Sequence, residues 1–81
     1  MSNILVFTAE WCSPCKQLKR NLEELGSPAI VIDVDSRKDL ARQYLIEAIP
    51  TIITLDASGD EVSRTLGVKS VEELEQLIRN V

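Results

Sequence analysis

The apolar residues of this 81-residue chain change their period in a way that leaves few folds open. Ile4-Leu5-Val6-Phe7 is a continuous apolar run, the pattern of a strand buried on both faces of a mostly parallel sheet. From Cys15 the pattern becomes helical: Cys15, Leu18, Leu22 and Leu25 fall within an arc of about 80° at about 100° per residue. Gly26-Ser27-Pro28 ends that helix, and Ala29 to Val34 returns to a branched apolar run. Strand, helix, strand at this length implies a right-handed parallel crossover with the two strands adjacent.

Beyond it, Ser36 with Asp39 reads as an N-cap pair for a short helix that buries Leu40, Ala41 and Tyr44, with Pro50 as its far boundary. Thr51 to Leu55 and Glu61 to Leu66 read as an antiparallel hairpin around the turn Asp56-Ala57-Ser58-Gly59-Asp60. Ser70 and Glu73 form a capping box for a last helix whose apolar face is Val71, Leu74, Leu77, Ile78 and Val81. The order βαβαββα predicts an α/β fold, a four-stranded mixed sheet with helices on both faces. Residues 1–81 are expected to form a single domain, since autonomous domains rarely fall much below about 50 residues.

Nine basic against thirteen acidic residues give a formal charge of −4 with no long single-sign run. That argues against a nucleic-acid-binding surface and against a polybasic membrane anchor. The amino terminus has no basic region, and its apolar run stops after four residues, too short for a secretory signal or a membrane span. A cytoplasmic protein is expected. Hydrophobic residues make up 44% of the chain, enough for a core with a net stability of about 3–5 kcal/mol.

Trp11-Cys12-Ser13-Pro14-Cys15 sits between the first strand and the first helix. With Cys12 at the N-cap, its sulfur meets the unpaired amides of the first turn and the positive end of the helix dipole, which favour a thiolate. The thiolate is the nucleophile in disulfide exchange. The helical wheel turns Cys15 into the apolar stripe and Cys12 away from it toward solvent, so Cys12 is expected to attack and Cys15 to resolve. A permanent structural disulfide is disfavoured because the closed loop is so short. Structural zinc takes four Cys or His ligands; the chain has two cysteines and no histidine, which leaves only a site shared between chains. No cofactor is implied.

The run Thr8-Ala9-Glu10-Trp11-Cys12-Ser13-Pro14-Cys15-Lys16, together with Ile49-Pro50-Thr51, resembles the active-site segments of the thioredoxin family. The resemblance spans the chain from about Ile4 onward and includes Gly59 and Gly67. It implies a thioredoxin-like fold in a short version, without the strand and helix that typically precede the segment matching Ile4. It implies a cis bond between Ile49 and Pro50, a Pro50 ring beside the sulfurs, and a substrate segment held by Trp11, Ser13, Pro14, Ile49 and Pro50. The implied partners are disulfide-containing proteins and an NADPH-dependent thioredoxin reductase, with the chain acting as a monomer away from nucleic acid and membranes.

Val6 and Val31 stand where the family usually has a buried aspartate and its lysine neighbour, so the usual internal proton acceptor is missing. Water, the departing substrate thiolate or Glu10 remains for that task. Ser13 replaces the usual glycine, and Thr8 a common tryptophan. Lys16 adds positive charge beside the thiols, or is an ordinary solvated helix residue. Trp11 either covers the site or fills core. A protein disulfide reductase is the leading function. A glutathione-dependent glutaredoxin is the first alternative, although Ala48-Ile49-Pro50 and Gly67-Val68 depart from its signatures. A binding module that uses the fold without turnover is the second.

Overall fold

The computed structural model describes residues 3–26 and 29–79. Seven elements follow in the order β1 (Ile4–Thr8), α1 (Ser13–Leu25), β2 (Ile30–Asp33), α2 (Lys38–Gln43), β3 (Thr51–Leu55), β4 (Glu61–Leu66) and α3 (Val71–Arg79). The strands form one mixed sheet in the order β2-β1-β3-β4. β1 pairs parallel with β2, Val6 opposite Val31, and antiparallel with β3, Val6 opposite Ile52. β3 and β4 form the expected hairpin, with an irregularity in register between Thr54 and Leu55.

Because β1 is central, all five of its residues are buried. Alternation sends them to two faces. Ile4 and Val6 meet Leu18 and Leu22 of α1, Ile52 of β3 and Leu74 of α3. On the opposite face Leu5 and Phe7 join Ile32 and Ile53, covered by Leu40 and Tyr44. The Tyr44 ring packs 5.6 Å from that of Phe7. One face of the sheet thus carries α1 and α3, the other α2.

Local signals set the boundaries. Gly26 ends α1 in the left-handed region (φ 74°) and donates its N–H back to the last turn. In the hairpin, the Asp56 carboxylate accepts the N–H groups of Ser58 and Asp60 at 2.8 and 3.0 Å. The capping box of α3 forms in both directions, Ser70 N–H to Glu73 Oε1 and Glu73 N–H to Ser70 Oγ, each at 3.2 Å. Leu74 is buried, with Leu77 and Ile78 beside it; Val81, Ser27 and Pro28 lie outside the described residues.

α2 departs from the sequence reading at both ends. Its N-cap is Arg37, with no side-chain cap bond. Asp33 has taken the backbone N–H of Ser36, and Asp39 pairs with the Arg37 guanidinium at 3.0 Å. At the other end α2 stops at Gln43, well before Pro50, where Leu45 enters the left-handed region at φ 53°. β2 is shorter than the apolar run at both ends: Ala29 precedes it, and Val34 begins the following turn while its N–H still donates to Thr8 O at 2.9 Å.

Candidate active site at the Cys12–Cys15 turn

β1 delivers the chain to the top of the sheet, where the Cys12 N–H donates to Ala9 O at 3.2 Å. Cys12 is the N-cap of α1, with extended backbone (φ −92°, ψ 107°), and its sulfur accepts the Cys15 N–H at 3.3 Å. A side chain at this place meets first-turn amides that have no partner within the helix. Ser13 and Pro14, both exposed, open α1; proline costs nothing there because its missing N–H would have no helical acceptor.

Cys12 and Cys15 are joined by a disulfide with their Cα atoms 5.3 Å apart. Cys15 is fully buried, as its place on the apolar stripe requires, but Cys12 does not face solvent as expected: it keeps only 6% exposure. Ala9 lies against the sulfur pair, and Val34 and Ile49 cover it. Ile49 precedes Pro50 through a cis peptide bond, and Pro50 is buried. The Pro50 carbonyl accepts the Gly67 N–H at 2.9 Å, and Thr51 Oγ1 donates to Ala48 O at 2.6 Å.

Trp11 is 70% exposed, so it does not fill core. Its indole N–H donates to Asp35 Oδ2 at 2.9 Å, which ties the ring to the turn after β2. A hollow of about 420 Å³ opens beside it, lined by Val34, Ile46, Glu47, Ala48 and Ile49 among others. The sequence points to Trp11 and Ile49 but not to Val34, Asp35 or Glu47 as site residues. The available signal was topological: loops after the carboxyl ends of parallel strands converge on ligand sites in open α/β sheets, and Val34 and Asp35 directly follow β2.

Val6 is fully buried and packs with Leu18, Leu22, Ile52 and Leu74. Val31, opposite it on β2, is 47% exposed. Glu10 and Lys16 are exposed residues flanking the motif.

The thioredoxin family profile matches residues 2–80. The chain belongs to the thioredoxin family. The thioredoxin of Chlamydia trachomatis is 42% identical over 80 residues, covering 93% of this chain and 78% of that protein. Mouse mitochondrial thioredoxin is 32% identical over 84 residues, and this chain spans 50% of its length. Among solved structures, chloroplastic thioredoxin z superposes with a TM-score of 0.82 at 30% identity, covering 95% of this chain and 74% of that one. The N21Q thioredoxin of Halobacterium salinarum gives 0.81 at 32% identity, covering 98% and 74%. The fold is therefore thioredoxin-like, as the sequence resemblance implied. This thioredoxin-family chain is a thiol–disulfide oxidoreductase whose redox centre is the Cys12–Cys15 pair.

Proposed function

We propose that the chain reduces disulfides in partner proteins, with Cys12 as nucleophile and Cys15 as resolving thiol. The observation that carries this reading is the Cys12 sulfur at the N-cap of α1, accepting a backbone N–H while Cys15 is wholly enclosed. In the dithiol form those amides and the helix dipole stabilise the Cys12 thiolate. The thiolate attacks a substrate disulfide and forms a mixed disulfide; Cys15 then attacks the Cys12 sulfur and releases the second substrate sulfur. The substrate segment lies along Trp11, Ser13, Pro14, Ile49 and Pro50, pairing with the Ile49 backbone in the manner of an added strand.

The chain works as a single module, as a monomer in the cytoplasm, on disulfide-containing proteins and with electrons from an NADPH-dependent thioredoxin reductase. Nucleic acid and membranes are not partners. The negative charge supports this, and among the described residues no helix is long and apolar enough to cross a membrane.

The test is insulin reduction driven by NADPH with thioredoxin reductase, and in parallel by glutathione. Cys12→Ser is expected to abolish turnover, and Cys15→Ser to react once and accumulate as a mixed disulfide. If Cys12→Ser is the variant that traps partners, the roles are reversed; turnover with glutathione alone would favour the glutaredoxin reading.

A further inference from the structure

Two side-chain oxygens, Thr8 Oγ1 and Thr65 Oγ1, are buried among the described residues without a hydrogen-bond partner. Thr65 lies on β4 opposite Ile52, away from the sulfurs. Thr8 is different in its place. It is fully buried at the end of β1. Strand alternation puts its side chain on the same face as Ile4 and Val6, the face covered by α1. Because β1 and β2 are parallel, the crossover helix α1 runs antiparallel to β1. Two residues up the strand from Val6, about 7 Å, therefore correspond to the turn of α1 above Leu18. Cys15 starts that turn, about 4.5 Å along the helix from Leu18, and its side chain belongs to the same buried stripe.

The hydrophobic cluster that encloses Cys15 contributes apolar side chains. Ala9, Val34 and Ile49 pack against the sulfurs, and Val6 occupies the next position down the strand face. Glu10 and Lys16, the charged residues flanking the motif, are exposed. A thiolate sulfur, which carries the negative charge, is a stronger acceptor than a disulfide sulfur.

We infer that the Thr8 hydroxyl is a positioning group for Cys15, unpaired in the disulfide form and donating to the Cys15 sulfur once the disulfide opens. The inference rests on the dithiol–disulfide cycle proposed above. In that cycle the Cys15 thiolate attacks the Cys12 sulfur of the mixed disulfide, the Cys12–substrate bond breaks, and the substrate sulfur leaves with the electron pair. The proton lost from Cys15 ends on that departing thiolate through water. Two electrons pass from the dithiol to the substrate. Thr8 neither gains nor loses a proton; it holds the attacking sulfur and stabilises its charge.

A buried hydroxyl that is unpaired in one redox state and paired in the other biases the equilibrium toward the paired one. Thr8→Val keeps the shape and removes the hydroxyl. Equilibrated against glutathione buffers, it is expected to favour the disulfide form about tenfold more than the wild type, a potential about 30 mV lower. Thr8→Ala should shift in the same direction. Thr8→Ser, which restores the hydroxyl, should lie within about twofold of the wild type. Urea unfolding of both redox forms is expected to show Thr8→Val gaining stability relative to wild type more in the oxidised form than in the reduced one. An unchanged potential in Thr8→Val, a Thr8→Ser variant that shifts as far as Thr8→Val, or equal effects on both redox forms would each overturn the inference and leave Thr8 a buried cost like Thr65. The potential is read without a protein substrate, so an error in the substrate assignment leaves this measurement intact. Normal insulin reduction with an unmoved potential removes only the role of Thr8.

Discussion

Val6→Asp would place a carboxyl group where the family usually has one, but without the surroundings that normally receive it. Val6 is fully buried against Leu18, Leu22, Ile52 and Leu74. Removing that side chain from the core forfeits about 2 kcal/mol of burial. Desolvation then raises the folded pKa of the new aspartate by several units, while the unfolded value stays near 3.9. For an acid with a raised folded pKa, the penalty is absent below the unfolded value and grows with pH by about 1.4 kcal/mol per unit until the folded pKa is reached. If that pKa lies above 7, the ionisation penalty at pH 7 is about 4 kcal/mol, and the total of about 6 exceeds the expected stability of about 3–5 kcal/mol. Val6→Asp is therefore expected to fold at pH 4 and to be largely unfolded at pH 7. The assay is urea unfolding of the oxidised form at several pH values, each compared with the wild type at the same pH. A destabilisation that does not change between pH 4 and pH 7 would refute the reasoning, because it would mean that the carboxylate stays ionised in a solvated or paired environment.

Trp11→Ala should leave the urea midpoint nearly unchanged, since the ring is largely exposed, yet lower kcat/KM for insulin about tenfold by removing one wall of the hollow; an equal loss of stability would return the ring to the core. The Glu73 carboxylate lies below the usual range because the Ser70 N–H, then the Ser70 hydroxyl and Lys69 favour its charged form. A depressed folded pKa adds stability above the unfolded value of about 4.3, lost as pH falls through the folded value. Glu73→Gln should consequently flatten the melting-temperature profile of the wild type below pH 5 and leave its slope above pH 6 unchanged.

How much of this was legible in the sequence depends on whether a residue's partner is close in the chain. Ser70 and Glu73 are three apart, and their reciprocal bonds formed as read. The same spacing failed at Ser36 and Asp39, because Asp33 captures the Ser36 N–H and Arg37 captures the Asp39 carboxylate. A short helix with several polar neighbours offers competing local bonds, and spacing alone does not rank them. The place of Cys12 at the helix start was legible because strand, motif and apolar stripe adjoin in sequence. Its burial was not, since Val34 and Ile49 come from distant segments. Trp11 was ambiguous for the same reason: its anchor, Asp35, is 24 residues away.

The two sulfurs owe their environments to different elements, and this separates the halves of the proposed cycle. Cys12 is served by the N-terminus of α1, where the amides and the dipole are backbone properties that no side-chain replacement in β1 removes. Cys15 lies on the buried stripe of α1 and packs with Ala9, Val34 and Ile49, so its surroundings depend on side chains from several elements. In the proposed cycle, Val6 in place of a carboxyl group therefore leaves the activation of Cys12 in place and bears on Cys15. In that cycle the Cys15 proton then leaves through water, to Glu10 or with the departing substrate sulfur, so resolution of the mixed disulfide, and not the first attack, is the step that Val6 in place of a carboxyl group bears upon.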